Sequence, residues 1–229
     1  MNWWAGECQR LGVEVRTSAE ADAALLTRPT PDLVVVATGS RPVEAPVPQE
    51  GREVSQIGPY DPMPAHGHVL VRDEMGRLAA LLTAERASLT AARVTLVTSL
   101  LYPGEGEGLT TVYPLIRDLA ARGVKMVDRA KVTRIDGRRV LLGGLFGEPR
   151  PPVEDVDAVV TVAGAVSVAG LAREAGRAGL TVVTIGDAHL PRDVTSAVSH
   201  TARLLDGLAN SPSSTLGVAV AGASTPAAS

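Results

Sequence analysis

The sequence has 229 residues, with 22 Lys+Arg against 25 Asp+Glu and a formal net charge of −3. At roughly 100–200 residues per domain this is one large or two small domains, and the 45% apolar share excludes wholesale disorder. A nearly balanced, slightly acidic chain has no basic footprint for nucleic acid or an anionic membrane, so neither is expected as a partner.

Cys8 is the single cysteine; it can close no internal disulfide and build no Cys-based zinc site, which suits a reducing, cytoplasmic setting. The opening MNWWAGECQR has no apolar leader core, and no apolar run approaches the roughly 18 residues of a membrane span. Aromatics make up only 3% of the chain, so the core is expected to be built from Val, Leu and Ala.

In chain order, a helix-like start and Gly12 lead into Val13–Arg16, read as a strand. Leu33–Thr38 (LVVVAT), between Pro31-Asp32 and Gly39, is a continuous β-branched run expected of a strand buried on both faces. Residues 42–66 are crowded with Pro, Gly and Glu and read as a connection. His68–Arg72 is a strand, Leu78–Ser88 a helix, and Val94–Thr98 the next strand. Leu115–Arg122 reads as a helix stopped by Gly123, since glycine takes the left-handed position after a last turn without strain. Lys125–Leu142 alternates around Asp136-Gly137, a strong hairpin signal. Ala158–Val162 and Thr181–Ile185 are strands and Val194–Leu208 a closing helix. The Ser-, Ala-, Pro- and Thr-rich end, 210–229, has no period and is expected to be disordered.

Strands alternating with helices at this spacing predict an α/β fold with a doubly wound, parallel, Rossmann-like sheet. The hairpin breaks that rhythm and points to a second, embedded unit. The expected domains are therefore 1–65 and 165–209 as two segments of one nucleotide-binding domain, with 66–164 embedded between them.

Two strand ends carry the most chemistry. Thr38-Gly39 follows one buried strand and Gly186-Asp187 another, and in open α/β sheets ligands sit outside the carboxyl ends of the strands. Glycine there lets backbone approach a cofactor, and the Asp187 carboxylate can accept from ribose or ribityl hydroxyls. Taken singly, each is better explained as a plain strand-to-loop turn. Other candidates are weaker. Gly104-Glu-Gly-Glu-Gly108 lacks a following Gly-Lys-Ser/Thr and its glutamates repel phosphate, so it reads as a flexible loop. His66 and His68 stand without further ligands in sequence, and His189 reads as a solvated loop histidine. Trp3 and Trp4 read as an apolar anchor, and no Ser/His/Asp or Cys/His set suggests a catalytic residue or a metal site.

Taken together, VVVATGSRP and the downstream TIGDAHLPRDVTSAV resemble the two-dinucleotide-domain region of the trimethylamine dehydrogenase, histamine dehydrogenase and 2,4-dienoyl-CoA reductase family. Leu11–Arg16, Val69–Leu81 and Leu109–Gly123 (LTTVYPLIRDLAARG) carry the same resemblance, which covers Leu11 to Leu208. It implies a flavin-dependent oxidoreductase, with Thr38, Gly39, Gly186 and Asp187 lining a site for FAD or for ADP. It also implies a partner chain carrying an FMN barrel, an iron–sulfur cluster and the Gly-x-Gly-x-x-Gly unit, none of which this sequence contains. On that scheme the chain starts inside the first nucleotide domain, leaving Leu33–Thr38 with an open, apolar edge. The second fingerprint reads Arg72-Asp73-Glu74-Met75-Gly76; its carboxylates set NAD(P)H binding in doubt. Two other readings stay open: a small NAD(P)H-dependent flavin reductase, and a non-catalytic assembly module with a vestigial nucleotide fold.

Overall fold

The computed structural model of the protein describes residues 2–27, 30–51 and 53–210; the expected tail, from residue 211 on, lies outside them. Helix α1 (Asn2–Arg10) is followed by a single turn, α2 (Ala23–Leu26), whose Leu25 N–H donates to the Asp22 carboxylate at 2.7 Å. Then come β1 (Val34–Val36), β2 (Ser40–Pro42), β3 (Gln49–Glu50) and β4 (Ser55–Ile57). Next are β5 (His68–Asp73), α3 (Leu78–Ser88), β6 (Arg93–Thr98), α4 (Leu109–Ala121) and β7 (Lys125–Val127). Three antiparallel strands follow, β8 (Ala130–Asp136), β9 (Arg139–Gly144) and β10 (Pro149–Val153). The chain closes with β11 (Ala158–Val162), β12 (Ala165–Ser167), α5 (Gly170–Arg177), β13 (Val182–Thr184) and α6 (Val194–Asn210).

Two compact units result: Ser40–Val166, and the residues up to Gly39 together with those from Ser167 on. The first border thus falls at Gly39/Ser40, not at the expected 65/66. The reason is strand pairing. β3 joins β8, and β4 joins β11, so the stretch read as a plain connection belongs to the embedded unit.

The embedded unit is built on a parallel sheet in the order β4-β11-β5-β6-β7, the α/β architecture the sequence predicts. Side chains alternate across its strands, because successive Cβ atoms point to opposite faces. Val69, Val71, Val94, Leu96, Val160 and Val162 pack with Ala80, Leu81 and Ala84 of α3 and with Val112 and Leu119 of α4. Leu70, Val97 and Val159 cluster instead with Val132, Ile135, Val140 and Leu142 of the β8–β9 pair. A sheet covered on both faces explains why its strands read as unbroken apolar runs. The Asp136-Gly137 signal is a two-residue hairpin loop, with Asp136 opposite Arg139 and Gly137 at φ +56°. Helix α4 begins six residues before the expected Leu115 and runs through Pro114. Burial of Val112, 1% exposed, holds that early turn although proline removes one backbone donor.

In the other unit β1 and β13 pair in parallel, Val34 opposite Val182 and Val36 opposite Thr184. However, β1 is not the strand buried on both faces expected of Leu33–Thr38. Val34 and Val36 are buried while Val35 between them is exposed, because only one face of this short pair is packed among the described residues. Val34, Val36 and Ala188 form a small core with Leu26, Ala172, Leu180 and Val182. The expected strand Val13–Arg16 joins no sheet among the described residues. Val13 and Val15 are 52% and 62% exposed, and an alternating segment with nothing to pair or pack against gains no strand stability. Trp3 and Trp4 are exposed and meet edge to face, ring centroids 4.8 Å apart.

Candidate functional site

Parallel pairing brings the two glycine turns to the same edge. The Val34 N–H donates to the Thr181 carbonyl at 2.9 Å, and the Ile185 N–H to the Val36 carbonyl at 3.0 Å. Beyond that last bond the two chains reach Thr38-Gly39 and Gly186-Asp187 respectively. The Thr38 hydroxyl donates to the Val168 carbonyl, and the Val168 N–H returns a bond to the Gly39 carbonyl at 2.9 Å. Gly39 sits at φ +76°, and a Cβ there would meet nothing within 4 Å, so the backbone fronts open space. Gly186, at φ +56°, opens a single 3₁₀ turn to Ala188; its carbonyl accepts from the N–H groups of His189 and Leu190 at 3.0 and 3.1 Å. Asp187 Oδ1 accepts from the Arg192 N–H at 3.3 Å, which ties the carboxylate to the following loop. All four residues named from the sequence therefore lie at the carboxyl edge of one strand pair, in one unit.

One neighbour escaped sequence reasoning. The His189 and His200 rings lie 4.6 Å apart, and the buried Nδ1 of His200 has no hydrogen-bond partner among the described residues. Burial, then the positive neighbours His189, Arg203 and Arg192, hold the His200 imidazole below its ordinary range. His189 is exposed, as expected of a loop histidine, with Nδ1 3.4 Å from the Thr184 hydroxyl. Two histidines on a turn and on a helix, with no shared period, leave no signal of their contact in sequence.

The corresponding edge of the embedded unit is differently made. Asp73, 2% exposed, ends β5, and its Oδ1 accepts from the N–H groups of Met75 and Gly76 at 3.0 and 2.8 Å. Those are amides that a glycine fingerprint would offer to a pyrophosphate. Asp73 Oδ2 is buried without a hydrogen-bond partner among the described residues, and Glu74 pairs with Arg72 at 2.6 Å. A buried carboxylate already on the turn does not fit the phosphates of a pyridine nucleotide. His68, 6% exposed, is committed elsewhere: its Nδ1–H donates to the Glu154 carbonyl at 3.1 Å, and Nε2 accepts from the Thr95 hydroxyl at 2.9 Å. That pattern fixes one neutral tautomer, because a carbonyl can only accept. Among the described residues no group of three or more His, Cys, Asp or Glu could hold a metal ion.

These features define a Rossmann-like α/β fold, with its open glycine turns on one strand pair. No protein-family model matches the chain. Over 145 residues it is 30% identical to the N,N-dimethylglycine/sarcosine dehydrogenase of Chromohalobacter salexigens, a match that covers 58% of this chain and 20% of that protein. In structure it resembles histamine dehydrogenase from Rhizobium sp. 4-9, with a TM-score of 0.76, 21% identity, and coverage of 93% of this chain and 37% of that one. The 6-hydroxypseudooxynicotine amine oxidase of Pseudomonas geniculata N1 gives 0.77 at 23% identity, covering 88% and 33%. The flavoprotein disulfide reductase RclA of Escherichia coli shares the fold more loosely, at 0.53 and 16% identity, covering 76% and 44%. The chain thus spans a fifth of the curated relative's length and about a third of the first two solved structures. No helix among the described residues is long and apolar enough to cross a membrane.

Proposed function

We propose that this chain is the nucleotide-fold part of a flavin-dependent oxidoreductase of the amine dehydrogenase or enoate reductase kind. Its role is to help hold the adenosine part of FAD or ADP and to brace the catalytic FMN and iron–sulfur segments. The observation that supports this best is the convergence of Thr38-Gly39 and Gly186-Asp187 at one carboxyl edge. Open space over Gly39 admits a ligand against bare backbone, and the Asp187 carboxylate, a hydrogen-bond acceptor by chemistry, stands at the same edge. A bound flavin would supply the redox chemistry; these residues would orient and anchor its adenosine end. Polypeptide outside these 229 residues would add the Gly-x-Gly-x-x-Gly unit beside β1, whose one ladder partner among the described residues is β13. Val35 of β1, 45% exposed, marks the apolar surface such a segment would cover.

The alternative of a small NAD(P)H-dependent flavin reductase is disfavoured by Asp73, which takes the turn amides that a pyridine nucleotide needs. The assembly-module alternative draws on the same observation and differs in predicting no nucleotide anywhere. Calorimetric titration with ADP separates them, run on the chain alone and on the chain co-expressed with a polypeptide that supplies the barrel and the Cys cluster. The expected result is a colourless chain that binds ADP weakly alone and stoichiometrically in the complex. Asp187→Ala in the complex should weaken ADP about ten- to a hundredfold, the scale of a hydrogen bond to a charged group. A stoichiometric yellow protein from this chain alone, or an Asp187→Ala complex with unchanged affinity, would overturn the reading.

A further inference from the structure

The mismatch between the embedded unit and a pyridine nucleotide extends beyond Asp73. The N-terminus of α3 is where this fold presents unpaired N–H groups and a partial positive charge to a dinucleotide's phosphates. Here a carboxylate of the same chain stands at that place. Glu107 Oε1 accepts from the Leu78 N–H, the first of the helix, at 3.4 Å and pairs with the Arg77 guanidinium at 2.9 Å. The loop that delivers it, Gly104–Gly108, is not the free flexible segment its composition suggested. Gly106 donates its N–H to the Gly76 carbonyl at 2.9 Å, and its own carbonyl accepts from Arg77 at 3.2 Å.

The glycines of this region serve internal contact. Gly76, at φ +62°, has no room for a Cβ, which would overlap Leu100 Cδ1. A Cβ on Gly104 would come 2.8 Å from Leu81 Cδ1, and one on Gly106 would lie 3.0 Å from the Gly76 carbonyl oxygen. The intervening glutamates both cap backbone: Glu105 Oε2 accepts from the Leu101 N–H at 2.9 Å, and Glu107 caps α3. Alternating glycine and glutamate therefore has a physical reading, with glycine for close approach and glutamate for orphan donors.

We infer that the Gly104–Gly108 loop has taken the place of a dinucleotide's pyrophosphate in the embedded unit, with the Glu107 carboxylate as its built-in anion. The unit then needs no nucleotide to satisfy its own helix terminus. This goes beyond the proposed function, which concerns the other unit.

Removing the anion should leave a vacancy that an external one can fill. Urea unfolding followed by circular dichroism would compare the parent chain with Glu107→Ala and Glu107→Gln, each with inorganic pyrophosphate, with NADPH and with sodium chloride at matched ionic strength. The parent should respond alike to pyrophosphate and chloride and show no saturable response to NADPH. Glu107→Ala should shift the unfolding equilibrium about tenfold toward the unfolded state, as loss of a helix cap does, and pyrophosphate alone should recover most of that. Should Glu107→Ala fail to fold, Glu107→Gln, which keeps the volume and drops the charge, carries the same comparison. A saturable gain in parent stability from pyrophosphate or NADPH would show the site open and overturn the inference. So would a variant as stable as the parent, or a loss that pyrophosphate leaves unrecovered.

Discussion

Leu70 tests the packing of the embedded unit most directly. It is fully buried on the central strand β5 and faces Val97, Ile135, Val140 and Val159, between the parallel sheet and the β8–β9 pair. Leu70→Ala removes three carbons, worth about 2.5 kcal/mol of transfer at about 0.8 kcal/mol per carbon. Two sheets that sandwich the side chain cannot collapse onto the gap, so a cavity cost adds to this, for a total of about 3–4 kcal/mol. With a urea slope of about 2 kcal/mol per molar, the midpoint should fall by about 1.5–2 M at unchanged slope. Leu89→Ala is the control, because Leu89 is 65% exposed and surface truncations change stability by less than about 0.5 kcal/mol. A loss below about 1 kcal/mol for Leu70→Ala would refute the argument that period-two alternation buries this residue between two sheets.

Two further outcomes follow from the same unit. Burial holds the His68 imidazole below its ordinary value of 6.5, so the folded state takes up a proton less readily than the unfolded chain. Stability should therefore be full above pH 6.5 and decline as pH falls below it; His68→Asn should flatten that decline in urea midpoints measured between pH 7 and pH 5. Gly76→Ala should destabilise by about 2–4 kcal/mol, since it adds left-handed backbone strain to an overlap with Leu100; a thermal scan showing no loss would mean the turn relaxes.

How legible the protein was depends on the range of the interaction concerned. β5, β6 and β11 could be read from composition, because strands covered on both faces must be apolar at every position. The hairpin loop was equally readable, since Asp136-Gly137 supplies the positive φ that a tight turn needs wherever the chain goes afterwards. The segment Val13–Arg16 shows the limit of such local rules: it alternates correctly, yet a strand exists only where a partner accepts its hydrogen bonds. β3 and β4 are the converse. Two or three residues in a Pro-rich stretch carry no pattern, and pairing with Ile135-Asp136 and Ala158–Val160 alone makes them strands.

The site divides in the same way. That Thr38-Gly39 and Gly186-Asp187 end strands is a local property, and the sequence by itself determined it. That they share one edge was decided by the parallel pairing of β1 with β13, across more than a hundred residues of embedded chain. The fate of the embedded unit's helix terminus was likewise open in sequence. Asp73 and Glu74 announced that a phosphate would be unwelcome, because charge is a property of the residue itself. Glu107 stands 29 positions beyond the Leu78 amide it caps, on a loop whose composition suggested freedom. Only the tertiary fold, by closing that loop over bare glycine backbone, brought its carboxylate to the unpaired N–H groups that needed it.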